Sequence, residues 1–438
     1  MIIGFYWLSS GFLNAQQQVL KLDLGKAIEL GIANSKVLKA SSQKINIAQA
    51  KIRETNTQTL PQVKVSSTYT RISDNITPFS VKFPGAPEPI VLNPQILNQF
   101  GENLGASQLL YAGGRVKKTI QSLAFLEKAA ELDLEKDRSD VVYNIISAYY
   151  TFYKLQQSTK ILRENAQLVQ ARLVDLKNLE DNGVVLHNDV LKLELQLSQL
   201  NIQQLDISNA YASTQYGFNI LLGLPDSAQT MIDSSSFFKY QLNGSYADYE
   251  KSALENRPDL TAVNTRLKAA DLNIAINKAN FFPTISASTN LNYLRPNPRI
   301  FPQKARFDGT WNAGISVAWD VSSLYNNKHF VQDAQYNYEL SHQLQLALVD
   351  NIKTELYANY LAYKRAQAHL VLTKQILAQA DENYRLIYDR LQDNLVIATD
   401  LQDALTNLIQ GKLNVLIDEA DLDLAYFKFI KTTGNLSK

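Results

Sequence analysis

Between Gly114 and Gly183 the chain has neither glycine nor proline, and the same holds between Gly314 and Gly411. Both intervals are rich in Leu, Ala, Gln, Glu and Lys, which suit a helix. With nothing to break the backbone, each interval predicts very long helix. At 1.5 Å per residue the first would run on the order of 100 Å, too long for an ordinary globule. Apolar residues recur at spacings of three and four, as in Ile145, Ala148, Phe152 and Leu155, and in Leu197, Leu200 and Leu205. The pattern is a coiled-coil-like stripe, so these residues are packing surface rather than a ligand box.

The chain also repeats itself. NGVVLHNDVL, Asn182 to Leu191, returns in weaker form as DNLVIATDLQ, Asp393 to Gln402, with Asp189 and Asp400 in the same place. The gapless alignment extends from Gly183–Gly223 onto Asn394–Gly434 and pairs Val185 with Val396, Leu205 with Leu416 and Phe218 with Phe429. Upstream, IANSKVL ending at Leu38 matches LENRPDL ending at Leu260, and LPQV from Leu60 matches FPTI from Phe282. Each half therefore reads helix, strand, loop, strand, long helix, tip, long helix. The boundaries that follow are a first repeat over 16–224, an inter-repeat segment over 225–249, a second repeat over 250–434 and a short tail over 435–438. Residues 1–15 form an apolar run ending in a small residue, which reads as a secretory signal cleaved near Ala15/Gln16.

Four segments alternate as strands. In TISASTNLNY, Ile285, Ala287, Leu291 and Tyr293 oppose Thr284, Ser286, Ser288, Asn290 and Asn292. WNAGISVAW sets Trp311, Ala313, Ile315, Val317 and Trp319 against Asn312, Gly314, Ser316 and Ala318. VKVSSTYT puts Val63, Val65 and Tyr69 on one face, while NLGASQLLYA, Asn103 to Ala112, alternates poorly. The eight residues from Trp311 to Trp319 span about 26 Å as a strand, close to the ~25 Å apolar band between the aromatic girdles of an outer-membrane barrel. Tyr69, Tyr293, Trp311 and Trp319 are the expected girdle. No run of ~20 apolar residues is present, so a spanning segment would have to be β-structure. Ser73–Glu102 and Arg295–Phe307, with five and three prolines, read as irregular surface loops.

Composition removes other classes. Charged residues are 19% of the chain and its net charge is +1, which suggests no nucleic-acid binding. There is no cysteine, and the four histidines show no metal-ligand spacing. No nucleophile elbow, P-loop, GxGxxG or HExxH pattern occurs, so neither catalytic residues nor a cofactor or metal is expected. Gly113 and Gly114 read as backbone freedom where a strand hands over to a helix.

LDLGKAIELGIANSKVL at Leu22–Leu38, QLLYAGGR at Gln108–Arg115, LENRPDL at Leu254–Leu260 and NKANFFPTISAS at Asn277–Ser288 resemble the TolC-type outer-membrane efflux proteins. The resemblance covers nearly the whole mature length. It implies a mainly α chain with a membrane β part. Coiled-coil hairpins would form a periplasmic tunnel, and four strands per chain would contribute to one trimeric barrel in outer-membrane lipid. It implies a homotrimer serving a periplasmic adaptor and an inner-membrane transporter as exit duct of an efflux or type I secretion system. The segment Pro225–Tyr249 and the residues after Gly434 would then sit in a girdle at the tunnel's waist. The alternative from the helices alone is a soluble periplasmic coiled-coil scaffold or adaptor.

At the tips, Asn188 and Thr399 are natural N-caps, and Asp189 and Asp400 then fall in first helical turns, where the positive helix end favours them. Capping does not account for Asp403, one turn after Asp400 on the same helix face. The resemblance matches Asp400–Asp403 to a paired acidic motif that forms rings at the tunnel's constricted periplasmic end, making Asp400, Asp403 and Asp189 the candidate gate. Lys192 stands in the first copy where Asp403 stands in the second. Val396 replaces the basic residue that helps lock the closed state of the family archetype, and Asp189 matches its acidic partner. Gly183, Val184, Val185, Leu186, Leu395, Val396 and Ile397 form apolar tips that either pack together or engage the adaptor.

Overall fold

A computed structural model describes residues 19–233, 240–392 and 398–436. The residues of the expected signal, 1–15, lie outside these. Two compact units emerge. One gathers the chain up to Ser42, Leu132–Leu260 and the chain from Ala347; the other gathers Gln43–Glu131 and Thr261–Leu346.

The first unit is helical. It opens on β1 (Leu20–Leu22) and α1 (Leu24–Asn34), whose N-cap Asp23 accepts from the Lys26 backbone at 2.7 Å. Helix α2 (Lys36–Asn56) follows after a break at Ser35 and runs on into the second unit. Strands β2 (Gln62–Arg71), β3 (Phe79–Val81), β4 (Ile90–Asn93) and β5 (Asn98–Ala112) belong to the second unit. The two uninterrupted intervals become α3 (Arg115–Asp181, 67 residues) and α7 (Ser323–Gln392, 70 residues), returning as α4 (His187–Leu222) and α8 (Ala398–Thr432). Between the repeats lies β6 (Thr230–Ile232); the second repeat opens on α5 (Tyr246–Asn256) and α6 (Pro258–Lys278), and β7 (Thr284–Arg295) and β8 (Asp308–Ala318) follow.

Duplication is visible in the joints. Ser35 and Arg257 occupy equivalent positions, and the helix breaks at both, leaving Asn34 and Asn256 as the residues that end α1 and α5. Gly223 and Gly434 end α4 and α8 at φ of +70° and +79°. A Cβ on Gly223 would lie 2.5 Å from Asn34, and one on Gly434 2.8 Å from the Asn256 backbone, so each glycine is required by close approach as well as by its left-handed backbone.

The pairing of β1 with β6 is parallel, three residues on each side, and the sequence reading contained neither strand. A core of Ile145, Ile146, Tyr150, Phe152, Phe218, Leu222 and Phe427 packs around it. The buried Tyr149 hydroxyl holds the pair together, bonded to the carbonyls of Leu22 (3.0 Å) and Asp233 (2.8 Å). In the RPDL motif, Arg257 donates to both carboxylate oxygens of Asp259 (3.1 and 2.8 Å) and to Glu355 (2.8 Å), tying the α5–α6 joint to α7.

The second unit is a four-stranded antiparallel sheet in the order β2-β5-β7-β8. Each repeat supplies two strands, and the repeats meet where β5 pairs with β7. The expected weakest strand, β5, is the longest at 15 residues and is paired along both edges. A register shift between Leu109 and Tyr111 moves it out of phase, and this obscured its alternation. The expected irregular loop Ser73–Glu102 contains the β3–β4 hairpin and the start of β5. Trp319 falls one residue beyond β8, its indole N–H donating to the Phe281 carbonyl at 3.1 Å.

Candidate functional site at the hairpin tips

Helix α3 stops in a Schellman turn: the amide of Gly183, at φ +72°, donates to the Glu180 carbonyl and that of Val184 to the Leu179 carbonyl. Val184 and Leu186 are exposed, whereas Val185 is half-buried against the neighbouring helices. Helix α4 then begins at His187, earlier than the sequence suggests. Leu186 is its N-cap and provides no side-chain bond, so Asn188 lies inside the helix rather than capping it. Thr399 likewise lies inside α8, which begins at Ala398. The first-turn placement of Asp189 and Asp400 holds all the same. Leu395, Val396 and Ile397 lie outside the described residues.

One apolar cluster draws the ends of all four long helices together: Leu173 and Leu176 of α3, Val190 and Leu193 of α4, Leu391 of α7, and Leu401 and Leu405 of α8. The acids of both copies are therefore collected at one end of one unit. They are not equivalent. Asp189 is mostly covered and accepts from Lys192 Nζ at 3.3 Å, while the same ammonium donates to Thr399 Oγ1 of α8 at 3.0 Å. Asp400 is half-buried and Asp403 exposed, and neither has a cationic partner among the described residues.

A second cross-tie escaped the sequence reading. Arg172 of α3 donates to the hydroxyls of Tyr384 (3.2 Å) and Tyr388 (2.6 Å) of α7 and lies 3.7 Å over the Tyr388 ring. Burial disfavours its charge, but the bonds to Tyr384 and Asp175 outweigh it and keep the guanidinium above its ordinary range. Nothing in spacing marks this contact, since the partners stand more than 200 positions apart.

In the sheet unit, one face carries the row Val65, Leu104, Leu291 and Trp311, and the row beside it on the other face is Ser66, Asn103, Asn292 and Thr310. Val63, Val65, Trp311, Ile315 and Val317 are each about two-thirds exposed or more, an apolar surface that water alone would not favour. On the polar face, Asn103 bonds Asn292 at 2.7 Å and Asn290 bonds Asn312 at 3.2 Å. Tyr69 and Tyr293 join an aromatic cluster with Phe100 and Phe307, two residues the alternation reading passed over; ring centroids are 4.9 Å apart for Tyr69–Phe100 and 5.1 Å for Tyr293–Phe307. Trp311 stands one apolar row further along, and Trp319 marks the opposite end. Among the described residues no helix is long and apolar enough to cross a membrane, and no His, Cys, Asp or Glu group could hold a metal ion.

A sheet with one apolar face, joined to helical hairpins with acidic tips, defines the class of outer-membrane channels. The chain belongs to the outer membrane efflux protein family, whose model matches residues 27–224 and 250–435. It is 22% identical over 416 residues to the toluene efflux pump outer membrane protein TtgC of Pseudomonas putida, covering 91% of this chain and 81% of that one. Its fold is similar to the CusC channel (TM-score 0.78, 18% identity, 97% of this chain and 95% of that one). It is also similar to the Campylobacter jejuni CmeC outer membrane channel (TM-score 0.76, 16% identity, 94% and 86%). The protein is an outer-membrane efflux channel with a periplasmic tunnel.

Proposed function

We propose that three copies form one passive exit duct. The observation that carries this is the open sheet: β2 and β8 each keep one edge unpaired among the described residues, and four strands cannot close a barrel that needs about eight. Three copies would remove every edge, turn the Trp311–Ile315–Val317 face to lipid and enclose the Asn, Ser and Thr face around water. The Tyr69–Phe100–Tyr293–Phe307 cluster and Trp319 would mark the two membrane interfaces. Asp400 and Asp403 would then place six carboxylates around the narrow end of the tunnel, a field that favours cations and opposes anions. Exposed Val184 and Leu186 would meet the tip of a periplasmic adaptor, which joins the duct to an inner-membrane transporter. The energy for transport belongs to that transporter, and the chain itself works without catalysis.

In planar bilayers the purified protein is expected to form cation-preferring pores, and Asp400→Ala with Asp403→Ala to lower the cation-to-anion permeability ratio severalfold. An unchanged ratio rejects the gate assignment. The scaffold reading is separated by fractionation: a duct stays with the membrane in alkaline carbonate and leaves only in detergent, whereas a soluble scaffold is released by carbonate.

A further inference from the structure

Lys192 is a cation that the structure places beside one of the candidate gate acids, Asp189. Its Nζ rests on Thr399 Oγ1 at 3.0 Å. Thr399 and Asp403 are four residues apart on α8 and share one face, and Asp400 is the next residue along. The ammonium is thus anchored one turn from Asp403, across from its own helix. Its other contact, Asp189 Oδ1 at 3.3 Å, makes the first copy's tip an internal ion pair. The side chain of Asp189 is 17% exposed and that of Lys192 39%, so the pair's cationic end is the more open to solvent.

We infer that Lys192 is a specificity-determining residue of the channel: by neutralising Asp189 and standing against the start of α8, it limits how strongly the tip prefers cations. The inference rests on the proposed gate at Asp400 and Asp403. With Lys192 present, Asp400 and Asp403 lack a cationic partner among the described residues while Asp189 has one; without it Asp189 loses that partner, and a trimer gains three negative charges. One such charge about 7 Å from a passing ion in water-like surroundings alters its local concentration by a factor of about 3. Ionic strength then weakens the effect.

The test is the reversal potential of single pores in a potassium chloride gradient, recorded for the full-length protein. Lys192→Gln keeps a hydrogen-bond donor for Thr399 but removes the charge; because each charge raises the cation and lowers the anion, the potassium-to-chloride permeability ratio should rise at least about threefold even after screening. Lys192→Arg should leave the ratio unchanged. The double variant Asp189→Asn with Lys192→Gln restores the formal charge and should return the ratio to that of the unmodified protein. If the single Gln variant leaves the ratio where it was, or if the double variant matches the single, the inference is overturned and Lys192 is only a tie between α4 and α8. Asp400→Ala with Asp403→Ala in the same recordings separates the two levels. A ratio insensitive to both series removes the gate itself, whereas one sensitive to the acids and insensitive to Lys192 removes only this inference.

Discussion

At the scale of single residues, Arg257 and Asp259 show how a sequence motif becomes structure. Proline at 258 enforces the helix break, and Arg257 holds that break against Asp259 and Glu355. Burial raises the carboxyl's pKa, but Arg257 and the Leu260 amide prevail and hold Asp259 below its ordinary value. A depressed carboxylate stabilises the fold above its unfolded pKa near 4 and loses that contribution as the pH falls through its folded value. Asp259→Asn is therefore expected to cost about 1–2 kcal/mol at pH 7, and the variant's melting curve should begin to approach that of the unmodified protein below about pH 4 and meet it only once the pH is below the folded value of Asp259. A gap that stays constant with pH would show that the ion pair is not the source of the stability. The motif was plain in the sequence as four letters. Its partner Glu355 was not, because nearly a hundred positions separate it from Arg257.

Elements were legible in proportion to how local their causes are. The long helices could be read directly, since helix formation depends on neighbours three and four residues away and on the lack of breakers. Strands β7 and β8 were legible through alternation, and β5 only weakly, because a register shift between Leu109 and Tyr111 throws its pattern out of phase. β1 and β6 could not be foreseen at all: three residues each, over 200 positions apart, they exist through Tyr149 and the core around it. The tips were half legible. Repetition located Asp189 and Asp400, while the helix starts came earlier than the capping side chains suggested, and the Lys192–Thr399 contact joins two helices that no local rule connects. The sheet's two faces make a further prediction. Ile315→Arg on the apolar face should cost about 2–4 kcal/mol near the bilayer midplane and prevent recovery of protein in the membrane fraction. Ser316→Arg, one residue along on the polar face, should be recovered normally and alter conductance. Equal recovery of both would mean that neither face meets lipid.

At the scale of the whole molecule, the proposed trimer answers what a single chain leaves open. Among the described residues the chain's apolar sheet face is uncovered, its outer strands keep open edges, and Asp400 and Asp403 of α8 stand without cations. The first two cost free energy in isolation, and the proposed trimer would relieve both by closing a barrel of twelve strands, with the carboxylates set at the mouth of its tunnel. The most direct test is the mass of the detergent-extracted protein, measured by native mass spectrometry with bound detergent removed in the gas phase. The proposed trimer gives three times the mass of one chain. A species at the mass of one chain, remaining soluble once detergent is withdrawn, would contradict it.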